Sequence, residues 1–267
     1  MIRIWIIGGL TFSLAALCLA QTSQPLLTPE ALARRSAEYV ELNRKIYPIL
    51  LGVDPSKFQR LPPEEDAVID AKLHKMVRET IADVLASPDP TPNNLKTAIS
   101  ALQDQGTSYD DRFTNTPFAE TFDSNGSPGV IVAYLVYGPG GAIADTQPVI
   151  RFFTKTLEGK WEEKGTAGAE FETHRFFVSP INAGLAGEKW YLAWGSQIGT
   201  GGGFLTIRLY GFNGNTVRTI WKRDDLQGCE IKILPDSITL DYEEPHSPTE
   251  RATAIHEALH VTVNGLQ

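Results

Sequence analysis

The C-terminal half of the chain alternates apolar and polar residues with the period of two that is typical of β-strands. Leu205, Ile207 and Leu209 share one face of the segment 204–212, and polar or aromatic residues occupy the positions between them. An Asn-Gly pair follows, which is a strong hairpin signal, and the segment 216–221 then resumes the strand-like composition. The pattern predicts an antiparallel hairpin here.

The same pattern of strands and turns occurs twice. Tyr134 and Arg151 recur at a constant spacing of 57 residues as Tyr191 and Arg208, and the spacing becomes 60 residues past the hairpin turn. Self-similarity at such a period is typical of propeller blades and related arrays.

We therefore predict a duplicated antiparallel unit of four to five strands, resembling a propeller blade, at residues 130–187 and 188–245. Two blades are too few to close a propeller. The predicted arrangement is a sandwich of the two units, or an incomplete propeller that assembles with other copies, so an oligomer is possible. The terminal segment 246–267 is predicted to be a strand or a helix.

The N-terminal region has helical rather than strand periodicity. Thr28-Pro29 and Thr91-Pro92 are helix starts, since Thr can cap the helix and Pro is favoured at its first position. Residues 21–106 are predicted to form about three helices, and the turn-rich segment 107–129 is predicted to be a connector to an all-β domain at 130–267. The fold class is α+β. His74 lies among basic residues and is predicted to be on the surface.

The first twenty residues have the form of a secretory signal peptide. Arg3 precedes an apolar run, and Cys18-Leu19-Ala20 matches a small-x-small cleavage site. We expect residues 1–20 to be removed and the protein to be secreted or periplasmic, without stable membrane insertion. A lipid anchor at Cys18 and a retained membrane anchor are the alternatives. Cys229 would then be the one cysteine of the mature chain, so no intramolecular disulfide is expected.

The formal net charge of the chain is −8. Nucleic acids and anionic membranes attract clustered basic residues, and no basic cluster in this chain is longer than Arg34-Arg35. Charge therefore argues against a nucleic-acid partner.

One motif near the C-terminus resembles the zinc metallopeptidase signature H-E-x-x-H. In a helix, His256 and His260 would share a face and could both bind zinc, while Glu257 would act as general base on a bound water. The resemblance covers these five residues. It implies a zinc-dependent hydrolase whose third ligand would be an upstream residue such as His174 or His246.

Alternation through the same segment favours a strand. Ile255, Leu259 and Val261 fall on one face, while both histidines fall on the other. Our preferred interpretation is therefore a chance match on an amphipathic strand, with no metal and no cofactor, and zinc as the alternative.

Glycine-rich loops occur at equivalent places in the two predicted units. The second contains Gly201 and Gly202, and Tyr137 and Trp194 lie near the two loops in the sequence. Loops on a rigid sheet commonly form binding sites, so these residues are a candidate binding rim. The function that this pattern favours is a non-catalytic binding or interaction module for a protein or glycan partner. The alternatives are the zinc hydrolase and a carbohydrate-binding β domain.

Overall fold

The described part of the N-terminal region forms three α-helices, as predicted. The computed structural model describes residues 27–46, 61–103, 117–124, 126–137, 146–168, 173, 175–182, 187–199, 202–234, 237–243, 253–262 and 265–267. The helices are α1 Pro29–Ile46, α2 Pro63–Leu85 and α3 Pro92–Gln103. Thr28 Oγ1 accepts a hydrogen bond from the Ala31 amide, and Thr91 Oγ1 accepts one from the Asn94 amide, each at 3.2 Å. Both predicted Thr caps are therefore present.

Two antiparallel sheets follow the helices, so the fold is α+β. Within the described residues, the first sheet contains four strands in sequential order: β1 Phe118–Ser124, β2 Ser127–Tyr137, β3 Thr146–Lys155 and β4 Trp161–Ala167. In the same part of the chain, the second sheet contains seven strands, also in sequential order: β5 Arg175–Ile181, β6 Lys189–Gly199, β7 Gly202–Phe212, β8 Val217–Ile233, β9 Ser237–Glu243, β10 Ala254–Thr262 and β11 Gly265–Leu266. Strands β1 and β5 are edge strands of their sheets.

The helices and sheets pack as layers. Along β2, Val132 and Tyr134 face the helices, whereas Ile131 and Ala133 face the second sheet. Because both faces of β2 are buried, its sequence is apolar without interruption from Val130 to Leu135, instead of alternating between apolar and polar residues.

Aromatic rings fill the space between the two sheets. Phe152 stacks on Phe212 with ring centroids 4.7 Å apart, and Phe122 contacts Phe212 edge-on at 5.5 Å. The Phe122 ring lies across its strand partner Gly129, where an added Cβ would be 2.2 Å from a ring carbon. Gly129 is thus required so that the ring can reach the second sheet.

A third core lies on the other face of the second sheet. It includes Leu192, Ile207, Leu240 and Leu259, which come from four different strands. The 17-residue strand β8 pairs with β7 along its first part and with β9 along its last part. Ile220 in β8 also approaches Gly265 in β11, so the sheet curls around this core.

The strand pairing differs between the two predicted units. Tyr134 lies opposite Val149, and a constant spacing of 57 residues would place Tyr191 opposite Thr206, but its partner is Tyr210. Within the described residues neither sheet closes on itself. The duplicated, propeller-like unit is therefore not confirmed.

The boundaries of the β region also need correction. Strand β1 lies inside the segment 107–129 that was assigned to a connector, so the sheet begins at Phe118 and not at residue 130. Strand β5 lies within the predicted unit 130–187 yet belongs to the second sheet. The described part of 246–267 is strand.

The predicted signal peptide lies outside the described residues, and none of the described helices is long and apolar enough to cross a membrane.

Candidate functional site

The H-E-x-x-H motif lies on a strand. His256, Glu257 and His260 are in the middle and last part of β10, which pairs with β9. Four residues of strand extend over about 13 Å, whereas four residues of helix would bring the histidines one turn apart. The strand therefore separates the two imidazoles. The described residues contain no group of three or more His, Cys, Asp or Glu side chains that could hold a metal ion. His174 and His246 lie outside them.

His256 and Glu257 make their side-chain contacts with neighbouring strands. His256 Nδ1 lies 2.6 Å from Asp241 Oδ1, its cross-strand partner. Glu257 accepts a hydrogen bond from Arg223 Nη2 at 2.8 Å and another from the Tyr242 hydroxyl at 3.3 Å. Burial, and then the adjacent Glu257 carboxylate, raise the pKa of Tyr242. In this geometry Glu257 links β8, β9 and β10.

The predicted binding rim is dispersed. Trp194 lies in the middle of β6, five residues before Gly199, which pairs with Gly202 at the hairpin end. Five residues of strand correspond to about 17 Å, so Trp194 is not beside that loop. Tyr137 is the last residue of β2, in the other sheet, and Gly201 lies outside the described residues.

Trp194 instead belongs to an aromatic pair that sequence analysis missed. It lies opposite Phe177 on the edge strand β5, and the two rings stack with centroids 5.5 Å apart and planes 21° apart. Phe177 is 45% exposed, which is unusual for a ring of this size. The sequence feature that could have revealed the exposed ring is the pair Phe176-Phe177. Consecutive residues of a strand face opposite sides, so when Phe176 enters the core between the sheets, Phe177 must face away from it.

A second candidate site is a cavity of about 410 Å³ at the open edge of the two-sheet layer. Glu120 and Phe122 from β1 line one side, and Lys189 and Tyr191 from β6 line the other. Burial raises the pKa of Glu120, and the charge of Lys189 opposes that rise to a smaller extent. Burial, followed by the charge of Glu120, raises the pKa of Tyr191. Glu120 is therefore within electrostatic reach of both Lys189 and Tyr191.

Glu188 forms a fixed wall of this cavity. Its carboxylate accepts two hydrogen bonds from Arg218, both at 2.9 Å, and one from Trp190 Nε1 at 2.8 Å. The side chain is 7% exposed, and the hydrogen bond from Arg218 is the main cause of its lowered pKa. A Cβ at Gly211 would lie 2.6 Å from Glu188 Oε1, so glycine at that position leaves room for the carboxylate.

A third polar cluster joins α2 to the first sheet, and it corrects the prediction for His74. The His74 side chain is 22% exposed, and its Nε2 lies 3.6 Å from Asp70 Oδ1. Burial is the main cause of both shifts in this pair: it lowers the pKa of His74 and raises the pKa of Asp70. Nearby, Arg151 donates to the Tyr134 hydroxyl at 2.6 Å and pairs with Glu163. Arg78 of α2 also pairs with Glu163 at 3.5 Å, so the cluster links the helix to the first sheet. Asp70 Oδ1 is buried and has no hydrogen-bond partner among the described residues.

Comparisons with known proteins do not identify the chain. No protein-family model matches it, and no curated protein shows significant similarity to it.

Proposed function

We propose that this protein is an exported, non-catalytic binding module and that the aromatic pair Phe177 and Trp194 is its recognition surface. The observation that supports this most strongly is the exposure of Phe177 on an edge strand, with its ring stacked on Trp194. A rigid ring that is not covered by its own fold is available to a ligand.

A glycan is the ligand class that this surface fits best. The apolar C–H face of a sugar ring can stack on an exposed aromatic ring, while its hydroxyls need hydrogen-bonding groups nearby. Arg175 and Ser179 lie on the same face of β5 as Phe177, each about 7 Å along the strand. Both are partly exposed. The surface thus combines a stacking ring with polar groups on either side.

Affinity electrophoresis through gels that contain single soluble polysaccharides tests this function. We expect at least one neutral polysaccharide to retard the wild-type protein and Phe177→Ala to remove most of the retardation. Leu157→Ala is the matched control, because Leu157 is an exposed large apolar residue in the turn after β3, and it should migrate as wild type. Equal retardation of both variants would contradict the proposal.

Export by the N-terminal signal is part of the same proposal. It predicts a mature chain that begins near Gln21, which N-terminal sequencing of protein recovered from the periplasm or the medium would check. A lipid on Cys18 would contradict cleavage at this position.

We also propose that the two sheets derive from a duplicated unit. Arg151 and Arg208 are both buried, and each forms an ion pair with an acidic residue on the following strand, Glu163 or Asp224. Buried arginines are uncommon, so their recurrence at equivalent strands supports duplication. A structure-based alignment of relatives in which the two sheets share further residues would test it.

A further inference from the structure

The cavity at the open edge of the sheets contains two opposite charges that are held apart. Glu120 lies on the same face of β1 as Phe118 and Phe122, and that face is directed toward the second sheet. Lys189 lies on the same face of β6 as Tyr191, which is directed toward the first sheet. The two side chains therefore face the space between the sheets from opposite sides.

Among the described residues, no ion pair within 4.0 Å joins Glu120 to Lys189, although the charge of Lys189 acts on the Glu120 carboxylate. The ammonium of Lys189 lowers the pKa of Glu120, but burial raises it more. A direct ion pair would normally reverse that order, as it does for Glu188 with Arg218. Glu120 is thus a partly desolvated carboxylate without an adjacent cation among the described residues.

The rest of the cavity is suited to a small organic ligand. Phe122 and Tyr191 supply apolar surface next to the two charges. Glu188 is already neutralised by Arg218, so it adds little net charge. The volume of about 410 Å³ is within the usual range for small-molecule sites.

We propose that this cavity binds a small zwitterion of the α-amino-acid type, with its ammonium group at Glu120 and its carboxylate at Lys189. A ligand with both charges compensates both side chains. A simple amine would leave Lys189 uncompensated, and a simple acid would leave Glu120 uncompensated. The ligand's apolar side chain would lie against Phe122 and Tyr191.

This site is separate from the aromatic pair. Phe177 is on the face of the second sheet that points away from the first sheet, whereas the cavity opens between the sheets. Loss of glycan binding in Phe177→Ala would therefore leave zwitterion binding unchanged.

Isothermal titration calorimetry tests the proposal with full-length mature protein. The probes are individual L-amino acids, including L-leucine, together with 3-methylbutylamine and 4-methylpentanoate, which each keep one of the two charges of leucine. We expect one or more amino acids to bind, and both single-charge probes to bind about tenfold more weakly or not at all.

Two variants locate the binding site. Glu120→Gln and Lys189→Gln should each weaken amino-acid binding about tenfold or more, because each removes one charge-assisted interaction. Both variants should fold, because Lys189 is exposed and Glu120→Gln removes a partly desolvated charge. The control is Glu158→Gln, which alters an exposed Glu–Lys pair in a distant turn, where both side chains are 78% exposed. Failure of every amino acid to bind, unchanged binding in Lys189→Gln, or equal affinity for the single-charge probes would overturn the proposal.

Discussion

At the scale of single residues, local contacts decide what a suggestive side chain does. Glu257 stands in the position of a general base in H-E-x-x-H, but the strand directs it to Arg223 and Tyr242. Phe177 is one of twelve phenylalanines in the sequence, and among those that the structure describes it is the exposed one. The role of each residue is therefore set by the strand on which it lies and by the side chains that it contacts.

If Glu257 is a strand-linking residue, Glu257→Gln should lower the free energy of unfolding by up to about 1 kcal/mol, because it weakens a partly exposed ion pair. Urea denaturation would measure this loss, and Glu158→Gln should lower the free energy of unfolding by less.

The zinc content of the purified protein, measured by atomic emission, should be equally low in wild type and in His256→Ala. Stoichiometric zinc that is lost in His256→Ala would contradict this reading and favour the hydrolase alternative.

The Glu120 carboxylate should reduce stability at neutral pH. Its folded pKa is raised by burial, so the unfolded state releases this proton more readily and stability falls as pH rises through the folded pKa. A neutral glutamine in Glu120→Gln avoids this loss of stability, so the variant should melt at a higher temperature than wild type at pH 7. The gap should disappear near pH 3, below the ordinary pKa of about 4.3, where both proteins are neutral at this position. A Glu120→Gln variant that is less stable at pH 7 would argue against a desolvated carboxylate.

At the scale of elements, the sequence predicts those features that depend on nearby residues. The Thr-Pro helix starts and the hairpin after Phe212 were predictable because caps and turns are local. Strand β1 was missed because its seven residues lie in a polar, turn-rich segment, and the apolar pair Phe118 and Phe122 is too short a pattern to recognise. The cluster of Asp70, His74 and Arg151 was missed because Arg151 is far in sequence from the other two, which lie four residues apart on α2.

Packing of β1 on the second sheet depends on the absence of a side chain at Gly129. Gly129→Ala would displace the Phe122 ring from Tyr191 and Phe212, so we expect a loss of about 1–3 kcal/mol in stability. Chemical denaturation would measure the loss. Gly165→Ala is the comparison, because its nearest contact with Val217 is 3.3 Å and needs only a small adjustment, so its effect should be smaller. Equal losses of stability in Gly129→Ala and Gly165→Ala would contradict this account, because the Phe122 ring could then move without an energetic cost.

At the scale of the whole molecule, the layers leave the β5 edge of the second sheet available for recognition in the described part of the chain. The helices cover the first sheet, the first sheet covers one face of the second, and the second sheet curls around its own core. Strand β5 remains at an edge, with Phe177 on one face and the cavity near its C-terminal end. Sequence alone could not place these together, because Glu120 and Lys189 meet only when the sheets pack.

The central claim is that the exposed ring of Phe177 recognises a glycan. Isothermal titration with oligosaccharides prepared from the polysaccharide that retards the protein measures this directly. The account predicts that Phe177→Ala weakens binding about tenfold, which corresponds to a stacking contribution of about 1.4 kcal/mol, while Leu157→Ala keeps the wild-type affinity. An unchanged dissociation constant in a folded Phe177→Ala protein would contradict it.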